Sequence, residues 1–178
     1  MTTGPDQVRA EGPYVVVDGD PDRRGIVVLD PAGAAKHEEL PATWRPIADR
    51  RRIFWCRLPT DGALTEAEEL LTNPPAPVDL VAGGTFADAA LNLAAAHTGT
   101  VRAVLLVDPG TGTTDADQEW ARRAAGQWQE LETAGVRVQV IAHSTGGKYD
   151  RVPPPLPLGH PDVVAGAQRA FDELDDRA

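Results

Sequence analysis

The sequence predicts an α/β domain: a mostly parallel, twisted sheet with an antiparallel hairpin at its amino end and helices on both faces. Three observations predict it. Short apolar, β-branched runs recur along the chain. From Val78 onward they alternate with helix-like segments, the pattern that builds a parallel sheet covered on both sides. Before that, Tyr14 to Val17 and Ile26 to Leu29 flank the turn-rich stretch Asp18-Gly19-Asp20-Pro21-Asp22, which reads as a hairpin.

The elements follow in order. Glu38 to Arg50 reads as a helix interrupted by Pro41 and Pro46. Arg52 to Cys56 is the next strand. Thr65 suits the N-cap of a helix through Leu71, with Glu68 completing a capping box. Asn73-Pro74-Pro75-Ala76-Pro77 stops it. Val78 to Val81 is a strand, then a Gly-rich turn, then a helix to His97. Val101 to Val107 is a strand. Asp115 opens a long helix to Ala134 whose Trp120, Ala124, Trp128 and Leu131 form one stripe. Val136 to Ala142 is a strand, and Val163 to Leu174 a closing helix. The loop between them, Ser144 to Gly159, is rich in Gly and Pro, yet Tyr149, Val152, Leu156 and Leu158 give it reason to pack. Right-handed crossovers are expected throughout.

Bulk composition narrows the rest. The chain has 178 residues, which suits one domain, read as 13–178 behind a flexible tail at 1–12. A net charge of −10 and the lack of a basic stripe exclude nucleic acid as a main partner. Cys56 is the lone cysteine, so there is no intrachain disulfide and no thiolate metal cage. The polar start shows no signal peptide, and no run is long enough to span a membrane, so a cytoplasmic protein is expected.

The chemistry centres on Val81-Ala82-Gly83-Gly84-Thr85-Phe86-Ala87, a turn between strand and helix. A dinucleotide fingerprint needs more glycines at another spacing. The chain resembles a small, lidless α/β-hydrolase of the thioesterase branch. Gly25-Ile26-Val27-Val28-Leu29-Asp30-Pro31-Ala32-Gly33 is similar to that family's strand and oxyanion loop. Trp44 to Ala48 and Ile53 to Pro59 are similar to its next helix and strand. Asp79 to Thr85 is similar to its nucleophile elbow, Val104 to Pro109 to the strand beyond, and Pro161 to Phe171 to its last helix. The order of these motifs carries the resemblance, since no one of them is specific.

The resemblance also exposes departures. The elbow has no serine. Either Thr85 holds the nucleophile position, or Gly84 does. The backbone favours Gly84, because that residue needs φ > 0, where a β-branched side chain is an outlier. Asp30-Pro31 replaces the usual His-Gly of the oxyanion loop; Asp30 reads either as a general acid or base or as a turn residue. Asp108 stands at a triad-acid position of the family and also in an ordinary Asp-Pro-Gly turn. Asp150 is near the other position for that acid. His160, in Gly159-His160-Pro161, resembles the family's catalytic histidine or else opens the last helix. His143 and Ser144 follow a strand and read either as an ordinary loop or as residues facing a cleft at the strand's carboxyl end. His37 and His97 read as surface, Cys56 as core.

The resemblance thus implies a thioesterase-like acyl hydrolase with Thr85, Asp108 and His160 catalytic, and Asp30, Gly84, His143 and Ser144 binding substrate. It implies no metal and no cofactor, and a small-molecule or acyl ligand as partner. Two other functions stay open. One is non-covalent cyclisation or isomerisation of a small carbonyl compound by Asp30, Asp108 or a histidine. The other is a binding or regulatory role without catalysis.

Overall fold

The computed structural model describes residues 15–32, 39–58, 62–110, 114–144 and 152–178. The tail at 1–12, His37 and Asp150 lie outside them. Six strands form one sheet: β1 (Val15–Asp18), β2 (Gly25–Asp30), β3 (Arg52–Arg57), β4 (Val78–Gly83), β5 (Val101–Val107) and β6 (Arg137–Ala142). Their order across the sheet is β1-β3-β2-β4-β5-β6. β2 to β6 run parallel and β1 is antiparallel. This is the mixed α/β architecture the sequence predicts, and it is consistent with an α/β-hydrolase-like fold. No helix among the described residues is long and apolar enough to cross a membrane.

One pairing differs from expectation. β1 does not form a hairpin with β2; it pairs with β3, Val15 opposite Cys56 and Asp18 opposite Ile53. The reason lies in β2, whose run Ile26 to Asp30 is buried throughout. A strand of that kind sits at the centre of a parallel sheet, and both its edges are taken, by β3 and β4. The turn after β1 docks instead on the chain entering β3. Gly19 lies so close to the Arg51 carbonyl that a Cβ would overlap it, and Arg52 donates to the Gly19 carbonyl at 3.1 Å.

Helices cover both faces. α1 (Arg45–Ala48) and α5 (Pro161–Asp176) lie on one side; α2 (Ala63–Thr72), α3 (Ala87–Ala96) and α4 (Thr114–Thr133) lie on the other. The pleat sorts neighbours between them: Ile26 and Val28 enter the first core, Val27 and Leu29 the second. The helix expected over Glu38 to Arg50 is reduced to a 3-10 turn at Ala42–Trp44 and the single turn of α1, as its two prolines require. Thr65 is not a cap: α2 starts two residues earlier, after Gly62 at φ +90°. Trp44 and Trp55 are fully buried and meet edge to face at 5.1 Å. Trp120 and Trp128 pack against each other, with Trp120 also donating to Asp88.

The amino edge of the sheet is tied by ions. Asp79 on β4 is fully buried and takes two hydrogen bonds from Arg102 on β5, at 2.9 and 2.6 Å. Arg102 also binds Asp175 of α5 at 2.9 Å, and Arg51 binds the other oxygen of Asp175. Burial pushes the Asp79 carboxyl up, against the pull of Arg102. Arg102 is held above its ordinary range by the same bonds, which outweigh its own burial. These two shifts favour opposite states of the pair. A bidentate fork at hydrogen-bond distance to a guanidinium favours the ionised one. Burial also pushes Asp175 up, but the hydrogen bonds from Arg102 and Arg51 prevail and hold it below the ordinary carboxylate range.

Removing one partner of the buried pair should be costly. Arg102→Met should lose about 3–5 kcal/mol of stability in urea denaturation, since it strands Asp79 in the core. Asp175 adds a pH dependence. Its folded pKa lies below its unfolded one, so its contribution is complete above about pH 4 and is lost as pH falls through the folded value. Asp175→Asn should therefore flatten the acid limb of stability measured against pH, with the deficit to wild type vanishing at the acid end.

Candidate functional site

The candidate site is the carboxyl edge of the sheet, where the loops after β2, β4, β5 and β6 converge. β4 ends at Gly83, and Gly84 turns the chain with φ +54° into a 3-10 turn, Gly84–Phe86, that runs into α3. Gly84 therefore occupies the left-handed position that the resemblance equates with the elbow, as the steric argument expects. Thr85 follows it and is exposed.

The space above this turn is filled by the chain itself. A Cβ on Gly84 would lie 2.9 Å from Pro155 Cγ, and one on Gly83 would lie 3.0 Å from Leu158 Cδ2. Leu156 and Leu158 are buried in the core shared with α5. Trp44 Nε1 donates to the Leu158 carbonyl at 2.7 Å, and the Thr43 hydroxyl donates to Gly159 at 2.7 Å. The described part of the long loop, residues 152–159, is thus a strap seated on the elbow. Its apolar residues pack as the sequence suggests. The residue it sets on Gly84 is Pro155.

Asp108 anchors the strap. It is fully buried just past β5 and adopts φ +43°, a conformation Asp tolerates better than most residues. Its Oδ1 accepts the Ser144 N–H and its Oδ2 the Leu156 N–H, both at 2.7 Å. Its own N–H donates to Ala142 at 3.2 Å. One carboxylate thereby joins the ends of β5 and β6 to the strap. Hydrogen bonds to a charged group contribute about 1.5–3 kcal/mol each.

Asp30 is also fully buried. Trp55 Nε1 donates to its Oδ2 at 2.9 Å, and the Ala32 N–H donates to its Oδ1 at 3.0 Å. The second bond is the local turn its side chain makes around Pro31. Arg57, opposite Asp30 in the β2–β3 register, is buried as well. His160 caps α5: its Nδ1 accepts the Asp162 N–H at 3.1 Å. The helix thus starts at Pro161, two residues before the expected Val163. His143 is exposed beyond β6, with Nδ1 3.8 Å from Asp117 Oδ2. Burial pushes the Cys56 thiol up to about 12, with Glu66 adding to it, which suits core packing rather than nucleophilic chemistry.

The fold therefore gathers Asp108, Ser144 and the strap, and separately gathers Asp108, Asp117 and His143. Pro155 and Asp117 are the residues that sequence reasoning missed. Leu156 and Leu158 hinted at the strap; nothing in the linear spacing pointed to Asp117. An apolar cavity of about 340 Å³, lined by Gly25, Phe54, Leu70, Pro74 and Val78, opens at the opposite, amino edge of the strands.

No protein-family model matches the chain, and no curated protein matches it. Among solved structures it is similar to the carboxylesterase CesB from Bacillus subtilis, at 14% identity and a TM-score of 0.43. The match covers 85% of this chain and 55% of that enzyme, so the chain spans about half its length. A likeness so distant says nothing of activity.

The contact at the elbow yields a prediction. Gly84→Ala should cost about 1–3 kcal/mol for its backbone strain, with a further loss from the clash on Pro155. Pro155→Gly in the same chain should relieve the clash and leave the strain. A double-mutant cycle by urea denaturation should therefore show the pair losing less than the sum of the singles.

Proposed function

We propose that this chain is a hydrolase-fold protein with a degenerate triad, which acts by binding a ligand and not by covalent acyl transfer. The observation that carries this reading is Pro155 packed on Gly84, where a nucleophile side chain would have to project. Two further facts support it. Both oxygens of Asp108 already accept backbone N–H groups, and Nδ1 of His160 serves a helix cap. The thioesterase-like pattern of the sequence makes a small acyl or carbonyl compound the expected ligand class. A triad acid must orient its histidine; here the carboxylate orients the chain.

The exposed Thr85, next to Gly84, favours the competing reading of a threonine acyl hydrolase. A fluorophosphonate probe separates the two. The binding reading predicts no labelling and no turnover over a panel of esters, thioesters and lactones. It also predicts that a member of that panel raises the melting temperature. At a hundredfold excess over Kd the stabilisation is about 2.7 kcal/mol, roughly 5–11 °C for a domain of this size. Labelling of the wild type that disappears in Thr85→Ala would replace this reading with the hydrolase.

A further inference from the structure

The turn after β5, the first turns of α4 and the end of β6 bring three metal-ligating side chains together. One ligand atom each from Asp108, Asp117 and His143 lies within 4.8 Å of the others. They come from three separate elements and share no sequence motif. Their approach is built into the backbone: Gly110 lies so close to Asp117 that a Cβ would overlap its backbone, so only glycine lets α4 seat there. That seating brings Asp117 up to the buried Asp108.

We propose that Asp108, Asp117 and His143 bind one divalent first-row metal ion. This inference stands apart from the ligand-binding reading above. Two carboxylates and an imidazole this close together form a compact donor set of the kind that attracts a cation. The imidazole Nδ1 of His143 stands 3.8 Å from Asp117 Oδ2, beyond hydrogen-bond distance. That gap suits two ligands on one ion, since two bonds of about 2.1 Å span up to about 4.2 Å. The Asp108 carboxylate is prepared for the role. The Ser144 and Leu156 amides fix its plane with one bond to each oxygen, and each oxygen keeps a second lone pair. A single imidazole with two carboxylates is a donor set for Zn²⁺, Fe²⁺ or Mn²⁺, and three protein ligands leave positions open to water or an anionic ligand. His143 is exposed, which gives the ion an entry path.

Zn²⁺ alone, titrated into the full chain by calorimetry, is the test. The wild type should take up one ion, and His143→Ala and Asp117→Asn should each bind at least tenfold more weakly. His97→Ala should match the wild type. His143 is exposed and Asp117 half-buried, and circular dichroism verifies the folding of both variants. Without any variant, Mn²⁺ should broaden the amide resonances of Ser144 and Leu156 at substoichiometric addition. No uptake by the wild type at millimolar Zn²⁺, wild-type affinity in either ligand variant, or sharp Ser144 and Leu156 resonances with Mn²⁺ would overturn the proposal.

Discussion

The carboxyl edge of this protein depends on where one carboxylate points. Asp108 is buried, and its two oxygens each accept a backbone N–H from a different segment. From that anchor the strap follows. With the Leu156 amide fixed, the side chains of Leu156 and Leu158 enter the core, and Pro155 comes to rest on Gly84. The Leu158 and Gly159 carbonyls then meet Trp44 and Thr43. His160 next caps α5, so the position of the closing helix is set by the same chain of bonds.

α5 is pinned at both ends. Its 16 residues are about 24 Å long, enough to cross the height of the sheet. At the carboxyl edge it starts from the strap; at the amino edge Asp175 binds Arg102 and Arg51. Between the two, Val163, Ala167, Ala170, Phe171 and Leu174 are buried against the sheet. The two edges use opposite means: a network of ion pairs below, a carboxylate satisfied by backbone amides above. The upper arrangement makes the elbow a packed joint. That is why the proposed function rests on what fills the turn and not only on the serine it lacks.

The strands, their parallel run and the special backbone of Gly84 were legible in the sequence, because each follows from local physics. Continuous apolar runs mark buried strands, and a glycine pair between strand and helix marks a turn that needs φ > 0. The partner of β1 was not legible. Nearness in sequence suggested β2, while the burial of β2 on both edges, a tertiary fact, sends β1 to β3. His160 shows the same limit. A Gly-His-Pro sequence fits both a catalytic histidine and a helix cap, and only the Nδ1 bond to the Asp162 amide reveals the cap. Asp117 was invisible because its meeting with Asp108 and His143 depends on how α4 packs against the turn at Gly110.

The strap is a fixed part of the fold, held by Asp108 over the elbow. Hydrogen exchange at the Leu156 amide, read by NMR, tests it most directly. The amide lies between two prolines and outside any helix or strand, so its protection reports the bond to Asp108 alone. Its protection should approach that of the amides at the centre of β4 and β5, the class of amide that opens with global unfolding. Exchange of Leu156 at the rate of a free amide, while β4 and β5 stay protected, would contradict it.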